Sequence, residues 1–336
     1  MKILLYFEAE NLLKTSGIGR ALKHQQEALK NQGIEYTLDI DDDYDILQIN
    51  TYGLNSTNLI ASAKAKNKPV IYFAHSTEED FKNSFVFSNT ISPIFKKRIV
   101  YMYNQADHII TPTEYAKNLL VSYGINKPIS NISNGIKLEK YCYDNEKVRA
   151  FNKYFNIKEE DKVVMGVGLY FERKGLLDFV EIAKSLKDYK FIWFGHTPML
   201  LTTQKIKAVF EDYPSNLIFP GYVKGPIIEG AYLRSNVFFF PSYEETEGIV
   251  VLEALASKTN VLLRDIPVFY PWLKDKENCY FGNDNEEFKE IITNLIEKKL
   301  PDLTSKGYEV AKDRTLDKIG LELKQVYEKL LGCNNE

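Results

Sequence analysis

Short runs of β-branched and aromatic residues recur along this chain, and most are followed by a turn and then by a stretch with helical apolar spacing. Residues 2–7, 46–50, 69–74, 106–113 and 129–136 form one such series; residues 163–169, 191–195, 217–221, 237–240 and 260–265 form a second. Helical stretches are read at 21–30, 59–65, 114–123, 176–186 and 316–331. Strands that alternate with helices pair in parallel, because each helix carries the chain back to the same end of the sheet. The two series predict an α/β chain with two Rossmann-like, doubly wound domains, and two similar halves predict a cleft between them. The expected division is 1–140, 141–315, and a C-terminal helix over 316–336 that packs back on the body, its last four residues frayed. A length of 336 residues agrees, since single cores stop growing near ~250–300 residues. The polar stretch 137–161 shows no strong apolar period and reads as the connection.

Composition excludes several classes. With 44% hydrophobic and 26% charged residues the chain is that of a folded protein, and a net charge of −3 argues against a nucleic-acid partner. Cys142, Cys279 and Cys333 have no metal-ligand spacing, and the N-terminal apolar run is too short for a leader, which points to reduced thiols in a cytoplasmic protein. No run of ~18 apolar residues occurs, so any membrane contact is expected to be peripheral.

In doubly wound folds ligands gather at the carboxyl ends of strands, where helix N-termini expose backbone N–H groups. Four turns stand out there. Gly17 and Gly19, in Ser16-Gly17-Ile18-Gly19-Arg20, form either a phosphate-approaching loop or a plain tight turn; the third glycine of a dinucleotide loop is absent. His75 follows residues 69–74 and reads either as a site residue or as a helix-capping neighbour of Ser76 and Thr77. Arg173 and Lys174 follow residues 163–169, placed to hold a pyrophosphate or simply solvated. After residues 237–240 comes Pro241-Ser242-Tyr243-Glu244-Glu245-Thr246-Glu247-Gly248-Ile249, with Glu253 about one turn into a helix that opens near Gly248. Free N–H groups at Gly248 and Ile249 suit a phosphate, and Glu253 suits the two hydroxyls of a ribose. The plain alternative is a solvated acidic loop. His108 reads as structural. Arg264 and Asp265 either line the cleft or pair with each other at its edge.

Phe81, Phe85, Phe87, Ile91, Ile94, Phe95, Ile99, Tyr101 and Tyr103 are interleaved with Lys82, Lys96, Lys97 and Arg98. Such a segment is either a face for an anionic membrane surface or a core helix with solvated cations.

The glycine loop, His75, Ser133-Asn134-Gly135-Ile136, Arg173-Lys174-Gly175, Pro241-Ser242 and the pair Glu245 and Glu253 follow the order found in retaining glycosyltransferases of the GT-B fold, family 4, which the chain resembles along nearly its whole length. Tyr6-Phe7-Glu8-Ala9-Glu10, residues 75–81, Pro241 to Gly248 and Leu263-Arg264-Asp265-Ile266-Pro267 are similar to the bacterial synthases that add a second hexose to monoglucosyl diacylglycerol. The resemblance implies UDP-glucose as co-substrate, transfer with retention, no metal, no tightly bound cofactor, a glycolipid acceptor, and a peripheral place on the inner face of the cell membrane. It implies that Arg173, Lys174 and Gly17 approach the diphosphate, that Glu245 and His75 lie beside the hexose, and that Glu253 holds the ribose. UDP-galactose, a diacylglycerol or soluble acceptor, and a UDP-sugar epimerase of the same fold stay open as alternatives. Leu169 stands where many members carry an arginine, which shifts charge onto Arg173, and Asn236 replaces a usual aspartate at a strand end.

Overall fold

A computed structural model describes residues 1–8 and 17–332. Ser16, Ala9, Glu10 and the residues expected to fray at 333–336 lie outside them. Two compact units are formed, one from Met1–Glu79, Ile91–Ile136 and Arg314–Glu336, the other from Asp80–Thr90 and Lys137–Asp313.

The first unit is built on a parallel six-stranded sheet. Its strands are β1 (Lys2–Tyr6), β2 (Glu35–Thr37), β3 (Ile46–Ile49), β4 (Val70–Phe73), β5 (His108–Thr111) and β6 (Ile129–Asn131), in the order β2-β1-β3-β4-β5-β6. The second unit holds β7 (Val163–Val167), β8 (Lys190–Phe194), β9 (Leu217–Gly221), β10 (Val237–Phe240), β11 (Asn260–Arg264) and β12 (Tyr280–Gly282), also all parallel, ordered β12-β11-β10-β7-β8-β9. Every residue of β3, β4 and β10 is buried, as expected of strands covered by helices on both faces. Phe179 is central to the second core, edge-on to Phe191 and Trp193 and stacked at 5.7 Å on Phe239. Asn236 Oδ1 accepts from the Val163 N–H at 2.8 Å, so the asparagine at the expected aspartate position starts the β7–β10 pairing.

Residues 137–161 are not a plain connection. They hold the helix Asn145–Phe155, started by Asp144, whose carboxylate accepts from the Glu146 and Lys147 N–H groups, and ended by Asn156 in a left-handed conformation. Its apolar content is small, and Phe151 is its buried anchor, which is why periodicity missed it. The helix Leu54–Ala65 begins five residues earlier than its apolar spacing indicates. Glu8 supplies the cap from 46 residues upstream, accepting from the Asn55 and Ser56 N–H groups at 3.2 and 3.0 Å. The residues Gly17 and Gly19 lie in the first turn of the helix Gly17–Asn31, so the helix opens earlier than the expected loop.

The helix Leu316–Leu330, capped by Thr315, packs on Gly17–Asn31 within the first unit. Its apolar face adds Leu316, Ile319, Leu323 and Tyr327 to the core around Ile3, Leu5, Leu29 and Phe73. Closest approach is at Gly320, where a Cβ would stand 2.4 Å from the Ala28 carbonyl oxygen. Alanine at 320 gains about 1 kcal/mol of helix propensity, yet separating two packed backbones costs about 1–3 kcal/mol. Gly320→Ala is therefore expected to lower the denaturant midpoint without changing its slope; a raised midpoint contradicts this packing.

Candidate functional site

The clearest cluster of charge lies in the second unit, where two strand-to-helix turns are joined through their backbones. After β7 the chain makes a single 3-10 turn, Glu172–Lys174, and ends it at Gly175, whose φ of 73° suits glycine. A Cβ there would fall 2.2 Å from the Pro241 carbonyl oxygen, so the turn after β10 can lie directly against it. The Tyr243 N–H then donates to the Arg173 carbonyl at 2.8 Å, and Ser242 Oγ lies 3.3 Å from the same carbonyl. Gly248, at φ 88°, leads into the helix Ile249–Ala256.

This joint brings Lys174 and Glu245 together. Lys174 Nζ donates to Glu245 Oε1 at 2.5 Å, and Ser242 Oγ donates to the same oxygen at 2.7 Å. Burial by itself would raise the Glu245 carboxyl, but Lys174 and Arg173 outweigh it and hold the group below its ordinary value. Glu245 is thus ionised at neutral pH. Burial lowers Lys174, an effect that Glu245 partly offsets. Glu245, Glu247 and Glu253 are all buried, which overturns the reading of a solvated acidic loop.

Arg173 is also buried, but its guanidinium is engaged by the protein. Nε donates to Ser84 Oγ at 3.0 Å, and Nη1 donates to the Glu244 carbonyl at 2.7 Å and pairs with Asp80 at 2.9 Å. Its N–H donates to the Asn83 carbonyl, so Asp80–Thr90 is fastened to the charged turn within the second unit. Burial pushes Asp80 up, against the pull of Arg173 and Lys174. Asp80 and Ser84 were not singled out in the sequence; the acidic run ending at Asp80 was the signal available.

Glu253 lies on the following helix, and its Oε2 accepts from Tyr232 Oη at 2.7 Å. Arg264 does not pair with Asp265. It is buried, bridges to Asp178 at 3.2 Å, stacks 3.8 Å over the Tyr243 ring, and donates to the Pro241 and Asn283 carbonyls. Its place is behind the Pro241 turn.

In the first unit His75 follows β4, buried and stacked on Phe73 with ring centroids 4.7 Å apart. Burial lowers it to about 3. His108 Nε2 lies 2.9 Å from Ser130 Oγ, between neighbouring strands. The helix Ser88–Tyr103 has two faces. Phe95, Ile99 and Tyr103 are buried, whereas Ile91, Ile94 and Tyr101 are exposed, Ile94 by 71%. Two of the cations expected to be solvated are engaged: Lys96 with Glu78 at 3.0 Å and over the Tyr123 ring, Arg98 with the Tyr52 and Gly53 carbonyls. Lys97 is exposed. In the second unit Phe87 and Leu200 are exposed by 74% and 85%, and the Val86 N–H donates to the Leu201 carbonyl. Among the described residues no helix is long and apolar enough to cross a membrane, and no three His, Cys, Asp or Glu side chains gather as metal ligands would.

Residues 148–313 match the family described as glycosyl transferases group 1, and residues 37–140 match glycosyltransferase family 4. Over 332 residues the chain is 47% identical to the processive diacylglycerol alpha-glucosyltransferase of Acholeplasma laidlawii, covering 98% of this chain and 99% of that protein. It is 27% identical over 234 residues to the alpha-galactosylglucosyldiacylglycerol synthase of Streptococcus pneumoniae, covering 68% of this chain and 62% of that one. Among solved structures, sucrose-phosphate synthase of Thermosynechococcus elongatus superposes with a TM-score of 0.82 at 15% identity, over 99% of this chain and 100% of that one. Anabaena HepE in complex with UDP and glucose gives 0.76 at 15% identity, over 98% and 99%; both likenesses are of fold. Nearly half of the residues shared with a relative over its full length, on two parallel sheets of this topology, make the chain a member of the family 4 and group 1 glycosyltransferases, hexosyltransferases of the GT-B fold.

Proposed function

We propose that this protein is a retaining α-glycosyltransferase that moves a hexose from UDP-glucose to monoglucosyl diacylglycerol, working as a peripheral protein on the cytoplasmic face of an anionic membrane. The Glu245 carboxylate carries the reading. Among the described residues its hydrogen bonds, from Lys174 and Ser242, both fall on Oε1, and Oε2 is left to accept from a sugar hydroxyl. Lys174 is the cation assigned to the diphosphate. Arg173, spent on Ser84, Glu244 and Asp80, acts on the phosphates chiefly by holding the turn that presents its neighbour. Tyr232 orients Glu253 for the ribose. The first N–H groups of Ile249–Ala256, with Gly248 before them, and the helix start at Gly17 and Gly19 are the remaining phosphate contacts. His75 is assigned to the hexose.

In the proposed step the acceptor hydroxyl attacks the anomeric carbon from the face that UDP leaves. The bond from carbon to the β-phosphate oxygen breaks as the glycosidic bond forms, and the departing phosphate oxygen takes the acceptor's proton. Negative charge grows on that phosphate, and a preorganised ammonium stabilises it more in the transition state than in the ground state. Lipid is supported as the acceptor by the Acholeplasma laidlawii relative and by the exposed Ile91, Ile94 and Tyr101 stripe beside Lys97. The Streptococcus pneumoniae relative makes UDP-galactose the second donor to test.

Purified protein given UDP-glucose or UDP-galactose and monoglucosyl diacylglycerol is expected to yield diglycosyl lipid with the α configuration kept, read by mass spectrometry and NMR. A UDP-sugar converted without acceptor would instead indicate an epimerase. Lys174→Ala and Glu245→Gln are expected to lower kcat by about 10²–10³, the usual cost of one transition-state donor or its orienting partner; turnover retained in Lys174→Ala removes the phosphate assignment. Ile94→Asp with Lys97→Glu is expected to weaken co-sedimentation with anionic vesicles while leaving transfer to detergent-dispersed acceptor intact. Unchanged binding across 0.05–0.5 M salt, a range chosen to span about 14 Å to about 4 Å of Debye length, contradicts the membrane face.

A further inference from the structure

A line of side-chain hydrogen bonds runs through the core of the first unit and ends at His75. Tyr327, fully buried in the helix Leu316–Leu330, donates its hydroxyl proton to Gln48 Oε1 at 2.7 Å. Gln48 Nε2 donates to Gln25 Oε1 at 2.8 Å, and Gln25 Nε2 donates to Asn50 Oδ1 at 2.9 Å. The same Oδ1 lies 3.1 Å from His75 Nε2. All five residues are buried, among neighbours such as Ile3, Leu5, Ile71 and Phe73. Each buried amide left unsatisfied would cost about 1–3 kcal/mol, and apolar residues of the same shape would pack there at no such risk. A polar line through a core therefore calls for a reason beyond stability.

The reason lies in its direction. An amide offers N–H on one side and C=O on the other, so turning one member of the line forces its neighbours to turn. Both ends are fixed. Burial raises the Tyr327 phenol far above its ordinary value, so its proton is always present, and Gln48 Oε1 receives it. At the far end Asn50 Nδ2 faces the Tyr6 carbonyl at 3.5 Å, which turns Oδ1 towards Gln25 and His75. An amide oxygen only accepts, so the ring nitrogen facing it must carry the proton. The ring is neutral at pH 7, since burial lowers it to about 3, and Phe73 fixes its plane.

We infer that Tyr327, Gln48, Gln25 and Asn50 are positioning residues that hold His75 as its Nε2–H tautomer, so that Nδ1 is presented as an acceptor to a substrate hydroxyl. The inference rests on the assignment of His75 to the hexose made above. It gives the C-terminal helix a part in substrate recognition, through a phenol 279 positions away in sequence from the glutamine it contacts.

The test is the nitrogen NMR spectrum of the full chain with labelled histidine, recorded without substrate at pH 7. Wild type is expected to show His75 with a protonated Nε2 and a bare Nδ1; the reverse tautomer overturns the inference. Tyr327→Phe keeps the packing and removes only the proton that fixes Gln48. A population of the Nδ1–H form is expected to appear, with a two- to tenfold loss of kcat, the worth of about one net hydrogen bond. Asn50→Leu removes the acceptor itself and is expected to abolish the tautomer preference with a larger loss of kcat than in Tyr327→Phe. A His75 spectrum unchanged in both variants overturns the relay even if activity falls, because a merely structural defect would lower activity without moving the proton. The spectrum needs no donor, so a wild-type protein with the expected tautomer and no transfer from UDP-glucose or UDP-galactose would sink the functional assignment and leave the relay standing.

Discussion

The charged site of the second unit depends on one backbone joint. The Arg173 carbonyl receives the Tyr243 N–H, while the Pro241 carbonyl sits where a Cβ of Gly175 would be. Two turns from strands that are neighbours in the sheet but 70 residues apart in sequence are thereby locked in register. Without that lock Lys174 and Glu245 would each face a costly burial alone, several kcal/mol per ion. With it, each is the other's partner. Side chains then reinforce the backbone from two sides. Arg173 reaches forward to the Glu244 carbonyl, and Arg264 reaches from behind to the Pro241 carbonyl while stacked on Tyr243.

This division of labour among cations follows from their chemistry. Guanidinium groups present fixed forks of donors, and Arg173 and Arg264 are both used on backbone carbonyls with a carboxylate beside them. Lysine is a point charge on a flexible stem, so Lys174 can exchange one anion for another with little rearrangement. The absence of an arginine at Leu169 leaves less positive charge at the turn, and the structure does not make it up with Arg173, whose charge is met by Asp80 at 2.9 Å and Glu245 at 3.9 Å.

Much of the architecture was legible because parallel strands buried on both faces read as unbroken apolar runs; β4 lies within a residue of either end of the expected 69–74, and β10 spans the expected 237–240. The three-residue strands β2 and β12 were not legible, since Glu35-Tyr36-Thr37 and Tyr280-Phe281-Gly282 are too short to show a period. The helix Asn145–Phe155 escaped for a different reason: it buries one phenylalanine, and its start is set by the Asp144 cap rather than by an apolar stripe. At the site, sequence order placed Lys174 and Glu245 in two turns that follow strands, and the structure brings these two side chains together. Sequence order gave no access to what each side chain is spent on. That Arg173 is tied to Ser84, or that Glu8 caps a helix 46 residues away, depends on tertiary neighbours that no local pattern encodes.

The two units treat buried polarity in opposite ways, and the contrast bears on how substrate recognition is built. In the second unit formal charges are paired with one another, Lys174 with Glu245 and Arg173 with Asp80. In the first, a neutral line of amides ends on a histidine kept uncharged by burial, and what it transmits is the direction of a hydrogen bond. Such a line works only if every member keeps its distance, which places a demand on packing far from the ring. Gly320 meets it: with no side chain at that position the helix Leu316–Leu330 approaches the Ala28 backbone closely, and Tyr327, two turns further along, reaches Gln48. A larger residue at 320 would push the two helices apart and draw the phenol away from Gln48, so the proposed tautomer of a buried imidazole is tied to a backbone contact between two helices that pack in the same core cluster as Phe73.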